Sequence, residues 1–293
     1  MTDNTQFLSS IAPLAEQYDG FILDLWGVIH DGTQLYPNVK ECLEALRTQN
    51  KKIIFLSNAP RRAKTVQEAL ERMDITDNLY DKIITSGETT YQCLADSNAS
   101  FFKTSGKNYF YIGLEKDHNI LAGLDYSEVK NPKDAQFLLL AHSYYDNQPY
   151  GELLPLLEQC KKQNIPALCI NPDMEVVRMG GQRVYCAGEL AAQYEKMGGK
   201  VIYFGKPHTA VYEACFQTFA GMDKSRIVAV GDNLATDIAG AAHAGIKSVL
   251  VTGGILSDVL GKLSPEQYTA KCQGLFKSTK TTPDYIVPTL SYK

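Results

Sequence analysis

Short apolar runs alternate with stretches of helical periodicity along the whole chain, and this alternation limits the folds open to it. Phe21-Ile22-Leu23 reads as a buried strand. After Pro37, apolar residues fall at Val39, Cys42, Leu43 and Leu46, the i, i+3, i+4, i+7 spacing of one helical face. Ile53 to Leu56 is the next strand, and a helix with Val66, Ala69, Leu70 and Met73 on one side follows Pro60. Ile83-Ile84-Thr85 makes a third strand. Strands and helices in strict alternation favour a parallel sheet with helices over its faces. The pattern continues through strands at Tyr109 to Ile112, Phe137 to Ala141, Ala167 to Ile170, Val201 to Phe204, Ile227 to Val230 and Ser248 to Val251. Helices are predicted over about 151–163 and over Val211, Ala214, Cys215 and Phe219, and Pro283 to Val287 is expected to supply a last edge strand.

The length of 293 residues suggests two structural units at ~150 residues per domain. With 29 Lys and Arg against 33 Asp and Glu, the net charge of −4 argues against a dominant nucleic-acid surface. Apolar runs such as Phe137 to Ala141 fall far short of the ~20 residues that span a bilayer, so no membrane partner is expected. The start MTDNTQFLSS shows no basic segment before an apolar run. Seven scattered cysteines without a CxxC pair suit reduced thiols, and the expected location is the cytoplasm.

In open parallel sheets, ligands bind beyond the carboxyl ends of the strands, so the residues just after each apolar run matter most. Asp24 follows the first strand and Ser57-Asn58 the second. Gly205-Lys206-Pro207 follows Phe204, and Gly231-Asp232-Asn233, then Thr236-Asp237-Ile238, follow Val230. Taken singly, these are ordinary features: a turn or cap Asp, an N-cap Ser, a loop Lys. Together they form a coherent set. A carboxylate can attack phosphorus. Two aspartates can hold Mg²⁺, and a hydroxyl and an ammonium can grip the equatorial phosphoryl oxygens.

The order Asp24-Leu25-Trp26-Gly27-Val28, Leu56-Ser57-Asn58, Gly205-Lys206-Pro207 and Gly231-Asp232-Asn233-Leu234-Ala235-Thr236-Asp237-Ile238 resembles the haloacid dehalogenase-like (HAD) hydrolase superfamily. Within it, the chain looks most like class IIA, the NagD-like sugar phosphatases. The resemblance implies an aspartyl-phosphate on Asp24, phosphoryl contacts from Ser57 and Lys206, and a loop shaped by Asn58. It further implies Mg²⁺ held by Asp24, Asp232 and the Trp26 carbonyl, with Asp237 orienting the metal's water shell. The fold it implies is α/β: a Rossmann-like, doubly wound parallel-sheet core from 1–86 and 201–293, with an α/β cap inserted at 87–200. A small phosphorylated metabolite is the expected partner, and the subclass allows homodimerisation through the cap.

One position departs from the pattern. Most phosphatases of this superfamily carry a second Asp two residues after the nucleophile, which protonates the leaving oxygen and then activates water; here Trp26 stands there. Such general acid–base catalysis is worth roughly 10²–10⁴-fold. Three readings stand open: His30 or Asp31 in the following turn substitutes, the leaving group needs no proton, or the site binds a phosphorylated ligand or runs a different displacement. In the cap, Asn171-Pro172-Asp173 resembles a run in NagD-like caps, which implies substrate contact by Asn171 and Asp173; Asn171-Pro172 also reads as the start of a turn. His142 is read as a satisfied imidazole, and Tyr144, Tyr145 and Tyr150 as mostly structural rings. Gly253-Gly254 is expected to be a turn.

Overall fold

A computed structural model of the chain describes residues 5–96, 106–144, 148–177, 182–261 and 263–293. Its strands, in chain order, are β1 (Gln6–Phe7), β2 (Gly20–Leu23), β3 (Lys52–Ser57) and β4 (Lys82–Thr85), then β5 (Asn108–Ile112), β6 (Ser127–Glu128), β7 (Phe137–Leu140) and β8 (Ala167–Cys169). They continue with β9 (Glu175–Val177), β10 (Arg183–Tyr185), β11 (Val201–Tyr203), β12 (Ile227–Gly231), β13 (Lys247–Val251) and β14 (Tyr285–Val287). Among the described residues these strands form a parallel core sheet in the order β1-β14-β13-β12-β2-β3-β4 and a parallel cap sheet in the order β11-β8-β7-β5-β6. β9 and β10 pair as an antiparallel hairpin.

Side-chain alternation along the core strands explains why helices cover both faces. Phe21, Leu23, Ile53, Phe55, Val228 and Val230 pack on one side, where the helices Val39–Thr48 and Ala63–Glu71 bury Cys42, Leu43, Leu46, Val66 and Leu70. Ile22, Ile54, Leu56 and Ala229 pack on the other, against Val211, Tyr212 and Cys215 of the helix Thr209–Thr218 and Ala241 of the helix Ala239–Ala244. The doubly wound core expected from the sequence is therefore the fold observed. The cap repeats the arrangement, with Ile112, Leu138, Leu140 and Cys169 packed on the helices Leu154–Lys162 and Ala187–Lys196, and Cys160 among them. Among the described residues, no helix is long and apolar enough to cross a membrane.

Two expectations need correction. Val201–Tyr203, placed by the sequence in the core, is hydrogen-bonded to β8 as an edge of the cap sheet, Val201 opposite Ala167. The chain thus returns to the core only after this strand, because apolar runs of equal length fit either sheet and only pairing decides between them. The strand at Tyr285–Val287 is not an edge; it is flanked by β13 and by β1, a two-residue strand too short to show as a periodic signal.

Candidate active site

The core sheet changes winding direction between β2 and β12, which run side by side with Leu23 opposite Val230. This is the switch point at which open α/β sheets bind ligands. Asp24 follows β2, its N–H donating to the Val230 carbonyl at 2.9 Å, and Asp232 follows β12. Asp237 comes from the π-helical turn Leu234–Ile238, started by Asn233, whose Oδ1 accepts the Ala235 N–H at 2.9 Å. Wide turns of this kind recur at functional sites. Glycine is required beside the carboxylates. A Cβ at Gly27, where φ is +83°, would lie 1.9 Å from Asp232 Oδ2, and one at Gly231 would lie 2.0 Å from the Asp237 carboxyl carbon.

Carboxylate oxygens of Asp24, Asp232 and Asp237 lie within 4.8 Å of one another, and all three residues are buried. Lys206 Nζ donates to Asp24 Oδ1 at 2.6 Å and to Asp237 Oδ1 at 2.7 Å. Burial works against this ammonium, but the charges of Asp237 and Asp24 outweigh it and hold its pKa well above the usual lysine value. Burial pushes Asp24 up to about 7, with Lys206 pulling the other way and Asp237 adding to the rise. Asp232 is held well above the ordinary carboxylate range by burial and by the Asp24 and Asp237 charges, against the N–H that Ile255 donates to its Oδ2 at 2.7 Å. Three buried carboxyl groups around one ammonium can all ionise only with further positive charge. An all-oxygen donor set of this kind suits a hard divalent cation such as Mg²⁺.

Ser57, at the end of β3, is buried on the rim, its Oγ accepting the Ala59 N–H at 3.2 Å. Asn58 bridges core and cap: Nδ2 donates to Asp173 Oδ1 at 2.9 Å and to the Lys206 carbonyl at 3.1 Å, while Oδ1 accepts the Lys206 N–H at 2.7 Å. Asn171 is buried, its Oδ1 accepting the Asp173 N–H at 3.4 Å in a local turn. Asp173 is raised above the usual carboxylate range by burial, partly offset by Lys206 and Asn58. Asp24, Trp26, Ser57, Asn58, Asn171, Asp173, Asp232 and Asp237 line one cavity of about 480 Å³ between core and cap. Lys206 reaches it from beneath, through Asp24. His142 lines the same cavity, with its Nδ1 at 3.1 Å from Ser143 Oγ. Tyr145 lies outside the described residues.

Trp26 spans the two units. Its Nε1–H donates to the Val177 carbonyl of β9 at 2.8 Å, and its ring meets His30 edge-on at 5.8 Å. His30 Nδ1 accepts the Gly32 N–H at 3.0 Å, and burial lowers the imidazole pKa to about 4. Asp31 Oδ1 accepts from the Thr33 N–H at 2.9 Å, the Thr33 hydroxyl at 2.7 Å and the Gln34 N–H at 2.9 Å. Partial burial raises this carboxyl, but those donors outweigh it and leave its pKa lowered. Asp31 thus closes its own turn.

Sequence reasoning missed several lining groups. Arg61 forms a two-pronged ion pair with the buried Asp117 of the cap, and Glu175 pairs with Arg183 on the hairpin. Nothing local marks these partners, which come from distant segments or from strands of three residues. Gly254, expected as a turn glycine, also packs on the site: a Cβ there would fall 2.2 Å from Asp232 Oδ2.

Comparison with known proteins agrees with this architecture. The haloacid dehalogenase-like hydrolase family matches residues 98–245, about half of the chain, and a second such family matches residues 21–127. Phosphoglycolate phosphatase 2 of Arabidopsis thaliana is 26% identical over 300 residues, covering 92% of this chain and 96% of that protein. Sugar-phosphatase AraL of Bacillus subtilis is 26% identical, covering 80% of this chain and 83% of its own. A crystal structure of a haloacid dehalogenase-like hydrolase from Brucella suis 1330 superposes with a TM-score of 0.81 at 29% identity, covering 97% of this chain and 99% of that one. The chain belongs to the haloacid dehalogenase-like hydrolases.

Proposed function

We propose that the protein is a Mg²⁺-dependent hydrolase of a small phosphomonoester, with Asp24 as the nucleophile. The observation that carries the reading is the buried constellation at the switch point: one carboxylate beside an ammonium at 2.6 Å, with two further carboxylates within 4.8 Å. In this reading Lys206 and Ser57 take the equatorial phosphoryl oxygens, Asn58 holds the loop that carries Ser57, and the Asp24 oxygen attacks phosphorus. Asp24, Asp232 and the Trp26 carbonyl would hold Mg²⁺, with Asp237 behind them, and the bound ion would neutralise the repulsion between nucleophile and phosphoryl group. Lys206, already paired with Asp24 and Asp237, keeps its proton throughout and acts as a fixed charge.

The relatives' names, phosphoglycolate phosphatase and sugar-phosphatase, support a phosphorylated metabolite as substrate. A small phosphorylated metabolite fits a cavity of about 480 Å³. Asn171 and Asp173, on the cap wall of that cavity, would face its organic part. The test is release of inorganic phosphate from a panel of phosphometabolites. Turnover is expected with Mg²⁺, and is expected to vanish in EDTA and in Asp24→Asn. Equal release in that variant would overturn the reading.

A further inference from the structure

The reading of Asp24 as nucleophile leaves open what happens to the leaving oxygen, and the wall of the cavity bears on that question. Trp26 has no acidic proton near neutral pH, and its one polar hydrogen is committed to Val177. Gly32 also lies against the ring, where a Cβ would come within 2.4 Å of it. His30 accepts at Nδ1 from a peptide N–H, which an imidazolium cannot do, so the ring is neutral in this arrangement. Asp31 has one oxygen taken by its own turn. Asp117 is paired with Arg61 and Glu175 with Arg183. Asp173 accepts from Asn58 at Oδ1, a bond that opposes but does not outweigh the burial that raises its pKa. Among the described residues, each carboxyl lining the cavity outside the Asp24 cluster is therefore engaged as an acceptor.

Resting on that nucleophile assignment, we infer that the site selects phosphates whose leaving oxygen departs as a stable anion (aryl, enol or acyl phosphates), and that the phosphorylated Asp24 outlives its release. In the first step an Asp24 carboxylate oxygen bonds to phosphorus as the bond to the leaving oxygen breaks, and that oxygen keeps the electron pair without receiving a proton. In the second, water attacks the same phosphorus and the bond to Asp24 breaks. Inorganic phosphate is released, the Asp24 carboxylate is restored, and the water proton passes to solvent. The missing base slows this second step as the missing acid slows the first for poor leaving groups.

The experiment is rapid-mixing kinetics of the full chain with Mg²⁺ and a series running from 4-nitrophenyl phosphate through less acidic aryl phosphates to an alkyl phosphate. Expected are a burst of about one nitrophenolate per chain before a slower steady rate, and a first step that falls steeply as the leaving group becomes more basic. Trp26→Asp should shrink the burst and raise alkyl phosphate turnover by roughly 10²-fold or more. Trp26→Phe, which restores no acid, should keep the steep dependence. Near-equal first-step rates across the series in the unaltered protein would overturn the inference, whether or not either variant folds. If Asp173→Asn then made the dependence steep, the proton would be assigned to Asp173. Absence of phosphate release from every compound, or full activity in Asp24→Asn, would instead sink the underlying hydrolase reading.

Discussion

Asn58 and Lys206 hold each other through two hydrogen bonds, the Lys206 N–H donating to Asn58 Oδ1 at 2.7 Å and Asn58 Nδ2 donating to the Lys206 carbonyl at 3.1 Å. One side chain at the end of β3 thereby satisfies both peptide groups of the residue whose ammonium reaches Asp24. Asn58→Ala would strand a buried N–H and a buried carbonyl. Its expected cost is about 1–3 kcal/mol of stability, read from the urea midpoint, together with a fall in kcat as Lys206 loses its position. An unchanged midpoint would show that water replaces the side chain.

Metal-free protein is expected to lose stability as pH rises from about 4 to 7. The folded chain holds Asp24 at about 7, chiefly through burial, against an ordinary aspartate value of about 3.9. A raised carboxyl stabilises fully below the unfolded value, and the contribution is lost as pH rises through the folded one. Thermal melts in EDTA should show that decline, Asp24→Asn should remove much of it, and Mg²⁺ should reverse it. A slope identical in the variant would contradict the assignment.

At Gly27 the backbone has φ +83° and any Cβ would meet Asp232. Gly27→Ala should displace that carboxylate and weaken Mg²⁺ by roughly 10–100-fold, the range found when groups supporting a metal ligand are disturbed. Titration calorimetry with Mg²⁺ measures this directly, apart from any turnover.

The Arg61–Asp117 pair is asymmetric, since the Arg61 side chain is 33% exposed and that of Asp117 only 3%. Arg61→Ala leaves a buried carboxylate unpaired and should cost about 3 kcal/mol. Asp117→Asn leaves a partly solvated guanidinium and should cost distinctly less. Chemical denaturation of both variants decides the order, and equal losses would contradict it.

Much of the core was legible because its strands are buried on both faces and so read as unbroken apolar runs. Asp24, Ser57 and Asp232 were legible for the same reason, each standing where such a run stops. Lys206 was recognised by its position after a run, yet that run pairs with β8, a relation that no local pattern encodes. Trp26 announced a departure in the sequence. Its partner, the carbonyl of Val177, lies 151 residues away in a three-residue strand with little periodicity to detect. The turn at Asp31-Gly32 was readable from composition, but only the three donors on one Asp31 oxygen show that the carboxylate is occupied there.

That β11 belongs to the cap sheet has a consequence for anyone who would cut this protein apart. Excising 87–200 would leave Val201–Tyr203 without β8, its apolar side chains bared and Lys206 tethered to a strand with nothing to lie against. The shortened chain would not be an open enzyme stripped of its lid. It would keep the Asn58 bonds to Lys206 but lose the sheet partner of the strand that leads into it, so cutting between the two units costs the core one of its own supports.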